Sequence, residues 1–204
     1  MNAATPATRS RVPGRIQFLL LAVLFFTPFV AAWMLYFYFP DLRPSGTTNY
    51  GELVSPIKPV PEQSWTLPDG SKAVTSELNR KWTVLQLGGA DCDAACGERV
   101  LLTRQLRTAL NADRERVQRV LLVTDAAALP ALQQRLAADH GDLLLRADAP
   151  GLDAAFFGSR DANALYLIDP LGNYLMLYPD RGTQSDFKGL QKDLKKLLKL
   201  SQSG

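Results

Sequence analysis

Trp82-Thr83-Val84-Leu85-Gln86-Leu87, then Gly88-Gly89, then Ala90-Asp91-Cys92-Asp93-Ala94-Ala95-Cys96, is the stretch on which the reading of this chain turns. Its first six residues read as a strand and the glycine pair as a break. A helical pattern follows, carrying Leu102, Leu106, Ala109 and Leu110 and ending near Asn111. Cys92 and Cys96 are the only two cysteines among 204 residues. Their spacing predicts that both sit on the strand-to-helix turn, in the first turn of the helix, where i and i+4 share a face. Two thiols so placed close a disulfide, hold a soft metal ion between them, or stay inert. A helix N-terminus favours the thiolate, whereas the neighbouring acids Asp91 and Asp93 oppose ionisation. Spacing alone leaves a structural bridge and a functional pair equally open.

Downstream, Val117 to Val123 is nearly continuous in apolar residues and reads as a central strand. Thr124-Asp125 opens a helix with Leu129, Leu132 and Leu136 that closes at Gly141. Leu143 to Leu145 is a short strand, Asp153 to Phe157 a helical turn or two, and Leu165 to Ile168 another strand. Asp169-Pro170-Leu171-Gly172 has type I turn residues, and Tyr174 to Tyr178 returns as a hairpin. Ser185 caps a last amphipathic helix with Leu190, Leu194, Leu197 and Leu198. Upstream, Trp65-Thr66-Leu67 and Lys72-Ala73-Val74 form a hairpin around Pro68-Asp69-Gly70, with a helical turn over Ser76 to Asn79. Helices alternating with buried strands predict an α/β mixed sheet flanked by helices on both faces. A cysteine pair on the turn after an early central strand is where a thioredoxin-like fold carries its chemistry.

The N-terminal part is different. Residues 1–15 form a polar tail, and 16–39 are almost unbroken apolar sequence, interrupted by Gln17, Thr27 and Pro28. As a helix that run spans roughly 36 Å, enough for a hydrocarbon core. Arg9, Arg11 and Arg15 precede it, while only Arg43 follows closely, beside Asp41. The positive-inside rule then keeps the N-terminus cytoplasmic and the rest of the chain outside. Val30-Ala31-Ala32 offers a cleavage site, but cutting there exposes the apolar Trp33 to Phe39, which favours an uncleaved anchor. In a bacterial inner membrane, the outside is the oxidising periplasm, where a cysteine pair persists as a disulfide. Pro40, Pro44, Gly46, Pro56, Pro59 and Pro61 predict a linker over 40–63, leaving 64–204 as the folded domain.

The net charge of +3 and the absence of a binding motif argue against nucleic acid. Lys188, Lys192, Lys195, Lys196 and Lys199 make the last helix basic, with Asp186 and Asp193 against them. A solvated face is the simpler reading, and anionic lipid or an acidic partner the other. Asp139, Asp142, Asp148, Asp153 and Asp161 match no metal-loop spacing. His140, the only histidine, falls at a helix end, where a cation suits the dipole.

The path from Trp65 through Asp69-Gly70, Trp82 to Leu87 and Cys92-x-x-x-Cys96 resembles the Sco/SenC/PrrC family, as does Tyr166-Leu167-Ile168-Asp169-Pro170-Leu171-Gly172. The resemblance covers roughly residues 64 to 200. It implies a membrane-tethered thioredoxin-like factor for cytochrome c oxidase assembly, with an oxidase subunit or another assembly factor as partner. It also implies copper, held by Cys92, Cys96 and a distal histidine. Asp161 stands at that histidine's position, and an aspartate oxygen is a poor exchange for imidazole toward Cu(I). The resemblance therefore leaves Cu(I) handling by the two sulfurs, or thiol–disulfide exchange with Cys92 attacking and Cys96 resolving. Cys92 is expected to attack because it is nearer the loop and more exposed. A C-x-x-C pair and a proline before the fourth strand, expected of a general disulfide reductase, are both missing. The alternative is a docking subunit of the same fold with a structural disulfide and no copper.

Overall fold

Trp82–Gly88 (β4) is flanked on both sides by other strands, so five of its seven residues are fully buried. The computed structural model describes residues 13–39, 48–158, 161 and 163–201. The N-terminal tail expected over 1–15 falls largely outside these, as do Asp41, Arg43 and the Ser159-Arg160 and Ala162 part of the loop around Asp161. Gly14–Tyr38 (α1) is a 25-residue helix containing an 18-residue stretch of mean hydropathy 2.4, long and apolar enough to cross a membrane.

The compact unit begins at Thr48 and is built on one eight-stranded sheet. Its strands are Glu52–Pro59 (β1), Ser64–Thr66 (β2), Lys72–Val74 (β3), β4, Val117–Val123 (β5), Leu143–Ala147 (β6), Leu165–Ile168 (β7) and Asn173–Tyr178 (β8). They lie in the order β1-β8-β7-β4-β5-β6-β2-β3. β4, β5 and β6 are parallel, joined by crossovers through Ala94–Ala109 (α2) and Leu129–Leu136 (α3). β7 and β8 add antiparallel pairing on the other side of β4, with Thr183–Leu200 (α5) following.

Residues level with one another in a sheet share a face. Leu85 is level with Val120 and Tyr166, and all three join Trp65, Leu78, Phe157 and Tyr174 in one core. That face is covered by the short helix Ala154–Phe157 (α4) and a 3-10 turn over Thr75–Leu78. Gln86 is level with Leu121 and Leu165 on the opposite face, under α2, α3 and α5. Helices cover both faces, as the alternation of strands and helices predicts.

The proline-rich segment is no tether from Glu52 onward. There it is the edge strand β1, paired antiparallel with β8 through a break between Leu53 and Lys58. An edge strand tolerates proline because its outer N–H groups have no ladder partner. The last helix begins two residues before Ser185, at Thr183, after Gly182 with φ +101° and without a side-chain cap.

An ion pair between a buried arginine and a partly exposed aspartate braces the sheet from beneath. Arg119 on β5 is fully buried and donates to both oxygens of Asp142, at 2.5 and 3.0 Å, and to Val100 O on α2. Burial alone would raise the Asp142 carboxyl. The hydrogen bond and charge of Arg119, with Arg107 beside it, pull it below the ordinary value instead. A carboxyl lowered on folding stabilises the fold above its unfolded pKa, near ~4, and loses that contribution as pH falls through the folded value. Because water screens the partly exposed carboxylate, Asp142→Asn is expected to cost only about 1 kcal/mol at neutral pH. The difference from the parent should shrink steadily below about pH 4 in urea unfolding. A pH-independent difference would assign the effect to packing.

Candidate functional site

Helix α2 starts at Ala94, later than its sequence pattern suggests, because Asp93 is its N-cap and accepts from Cys96 N at 2.9 Å. Cys96 is thus in the first turn, but Cys92 lies outside the helix, with φ +40° in the left-handed region. The expectation that both share a helix face does not hold. The backward bend at Cys92 brings its sulfur to Cys96, and the two form a disulfide with Cα atoms 5.1 Å apart. Asp93 serves as the cap of the helix carrying that bridge.

Two side chains hold the bridge and one glycine makes room for it. Gln86, buried in β4, donates its amide to Cys96 Sγ at 3.3 Å and to Cys96 O at 3.1 Å. Arg135 reaches from α3 to the carbonyls of Asp91 and Cys92, the latter at 3.0 Å. Gly88 lets the strand end pass beside the sulfur: a Cβ there would stand 2.8 Å from Leu121 Cδ1 and 3.4 Å from Cys96 Sγ. Both cysteines lie among Val100, Leu121, Val123, Leu129 and Leu145. They are equally buried, at 5% and 6% exposure, so exposure does not single out Cys92 as the attacking thiol.

Beside this turn opens a largely apolar cleft of about 790 Å³, floored by Leu87, Gly88, Leu122 and Val123 at the C-terminal ends of β4 and β5. Residues 148–154 form one wall, and Asp161 contributes to the lining. The start of β7 is level with Gln86, which places Asp161 at the same edge of the sheet as the cysteines. Its carboxylate is engaged in the loop. Oδ1 accepts from Asn163 N at 2.9 Å and Oδ2 from Asp180 N at 2.5 Å.

His140 lies at the other edge. It precedes β6, whose Leu143 is level with Arg119, whereas Gly88 beside the cysteines is level with Val123. Four residues of strand separate the two levels, about 13 Å. The surroundings of His140 work against the favourable helix-end position. Burial first, then the charges of Arg119 and Arg104, lowers its pKa.

The residues do not compose the three-ligand copper site that the family resemblance implies. The two sulfurs are bonded to each other, the carboxylate at the third position braces a loop, and the imidazole is remote. Among the described residues no three His, Cys, Asp or Glu side chains gather as metal ligands.

The stretch after Cys96 hides a second polar element. Arg99 is 2% exposed, pairs with Asp186 of α5 at 2.5 Å and donates from Nε to Asn163 O at 2.7 Å. Asp186 also accepts from Tyr50 OH at 2.7 Å. This network bolts α2, α5 and the Asp161 loop together beside the disulfide. Its signal in the sequence is spacing: Cys96, Arg99, Thr103 and Leu106 recur at helical intervals, so Arg99 falls on the buried stripe.

A parallel strand–helix–strand unit, an antiparallel pair on the far side of the central strand, and a cysteine bridge at the intervening helix N-terminus define a thioredoxin-like protein. Residues 82–201 match the family model of the transmembrane-like, thioredoxin-like C-terminal domain, and the chain belongs to that family. No curated protein sequence is significantly similar. Solved structures share the fold. Apo Sco1 from Thermus thermophilus is 22% identical with a TM-score of 0.58, covering 75% of this chain and 99% of that one. Copper-bound ScoI from Arabidopsis thaliana is 17% identical with a TM-score of 0.55, covering 67% and 98%. A putative thiol:disulfide interchange protein DsbE from Chlorobium tepidum is 18% identical with a TM-score of 0.56, covering 70% and 96%. The Sco/SenC likeness read from the sequence thus holds at the level of the fold.

Proposed function

We propose that this is a membrane-anchored, outward-facing thioredoxin-like factor that exchanges thiols and disulfides through Cys92 and Cys96. The cysteine-bearing partner is an oxidase subunit or another protein of oxidase assembly, as the Sco resemblance implies. The observation that carries the reading is the bridge itself, made at a helix N-terminus beside an apolar cleft at the sheet's C-terminal edge. The anchor is α1, oriented with its arginine-flanked end in the cytoplasm, so that the domain works in the periplasm.

In the forward step the Cys92 thiolate attacks one sulfur of a partner disulfide. The partner's other sulfur leaves as thiolate, and a Cys92–partner mixed disulfide forms. The Cys96 thiolate then attacks Cys92 Sγ, expels the partner's second thiolate and closes Cys92–Cys96. Two electrons pass to the partner, and a dithiol reductant of the same compartment returns them. Cys92 is assigned the attack because it lies in the loop before the cap, whereas Cys96 is held in the helix by Gln86. Asp161 is assigned a bracing role for the loop lining the cleft.

The test is the reduction potential of the pair in the full-length protein, equilibrated against dithiol buffers. Exchange predicts a potential above about −300 mV. A value at or below that leaves the docking role, with a structural disulfide. An anaerobic Cu(I) competition titration of the reduced protein is run beside it. One tight equivalent lost in Cys92→Ser would put copper handling in place of exchange.

A further inference from the structure

The five lysines of α5 are separated from its two acids by burial. Lys188, Lys192, Lys195, Lys196 and Lys199 are all exposed, whereas Asp186 and Asp193 are 0% and 1% exposed. At about 100° per residue the lysines fall within an arc of about 100°, and the acids lie on the far side, toward the sheet. The acids counted against the basic face in the sequence therefore do not offset it at the surface. Among the described residues none of these lysines forms an ion pair.

The chain also enters the domain along this helix. Lys196 Nζ donates to Thr48 Oγ1 at 2.6 Å and to Asn49 Oδ1 at 3.2 Å. Asp193 accepts from the backbone N–H of Tyr50 at 2.9 Å and of Gly51 at 2.8 Å. The Tyr50 ring lies so close over Gly189 that a Cβ there would come within 2.1 Å of it. Residues 48–51 are thus clamped to α5, beside the lysines. Only nine chain steps separate Thr48 from Phe39 at the end of the apolar helix, a reach of at most about 32 Å. The covalent chain from the apolar helix thus enters the domain beside the basic face. Docking that face on the bilayer is an intramolecular event at high effective concentration.

We infer that the exposed lysine face of α5 rests on the anionic lipid headgroups of the membrane in which α1 is anchored, an inference that rests on the anchor reading above. Docking leaves the cysteine edge, which belongs to the ends of β4 and β5, for the protein partner.

Lysine footprinting of the full chain in nanodiscs tests this. Per-residue acetylation rates are measured in phosphatidylcholine discs and in discs containing phosphatidylglycerol. Lys192, Lys195 and Lys199 are expected to react at least about threefold more slowly in the anionic discs, with rates restored by about 0.5 M salt. The exposed Lys72 and Lys81 should be unchanged. The Lys192→Glu, Lys195→Glu double variant should lose the protection of Lys188 and Lys199. Equal rates in both discs overturn the inference, including the case in which an acidic protein is the true occupant. Failure of the chain to enter discs at all is a different result, and overturns the anchor reading beneath it.

Discussion

Replacing Arg99 with alanine is expected to lower stability by about 3–5 kcal/mol, the cost of breaking a buried pair by removing one partner. Asp186 is fully buried, and its Oδ2 accepts from Arg99 Nη1 at 2.5 Å. Among the described residues, without the guanidinium it keeps only Tyr50 OH and the amide of Arg181, at 2.7 and 3.2 Å. Asn163 O loses its donor as well. Such a loss is a large share of the 5–15 kcal/mol typical of a domain. Urea midpoints measure it, and a companion variant tells charge from packing. In Arg99→Met, Asp186→Leu neither partner is left unpaired, and more than half of the lost stability should return. A loss below about 1 kcal/mol in Arg99→Ala would mean that water replaces the pair. The consequence reaches function, because Arg99 holds both α2, which carries Cys96, and the loop containing Asp161.

How much of this was legible beforehand follows from where each residue's information lies. The β4 stretch, β5, β7 and the body of α2, though not its start, are read correctly because their apolar patterns are made by burial on a known face. The edge strand β1 was hidden by its prolines, since Pro56 and Pro59 weaken the strand signal while an edge position tolerates them. The cysteine pair was visible at once, but its geometry was not. The capping by Asp93 and the positive φ of Cys92 are local backbone facts that spacing does not encode. Asp161 was singled out through the family resemblance alone, as the residue at the histidine's position. Its engagement with Asn163 and Asp180 depends on a residue nineteen positions away. Helical spacing puts Arg99 on the buried stripe of α2, but its partner Asp186, 87 residues away, looks like an ordinary surface charge until the helices are paired. The same holds for Asp193, whose partners Tyr50 and Gly51 are more than 140 residues distant.

The most direct test of the proposed exchange is to trap its intermediate, and here the expected effect is all or nothing. A single cysteine left at position 92 attacks a disulfide and stops, because the resolving sulfur is gone. Cys96→Ser in the full-length protein, reduced and offered a peptide closed by one disulfide, should accumulate a stoichiometric mixed disulfide at Cys92. The parent should instead release reduced peptide and return to the intramolecular bridge. Cys92→Ser should give little adduct, because Cys96 is held inside the first turn of α2 with Gln86 on its sulfur. The adduct is read by intact mass and located by peptide mapping. A mixed disulfide at Cys92 that dithiol releases is the result this account predicts. No adduct in Cys96→Ser, with the variant folded, would contradict it and leave the bridge as a staple of a docking domain.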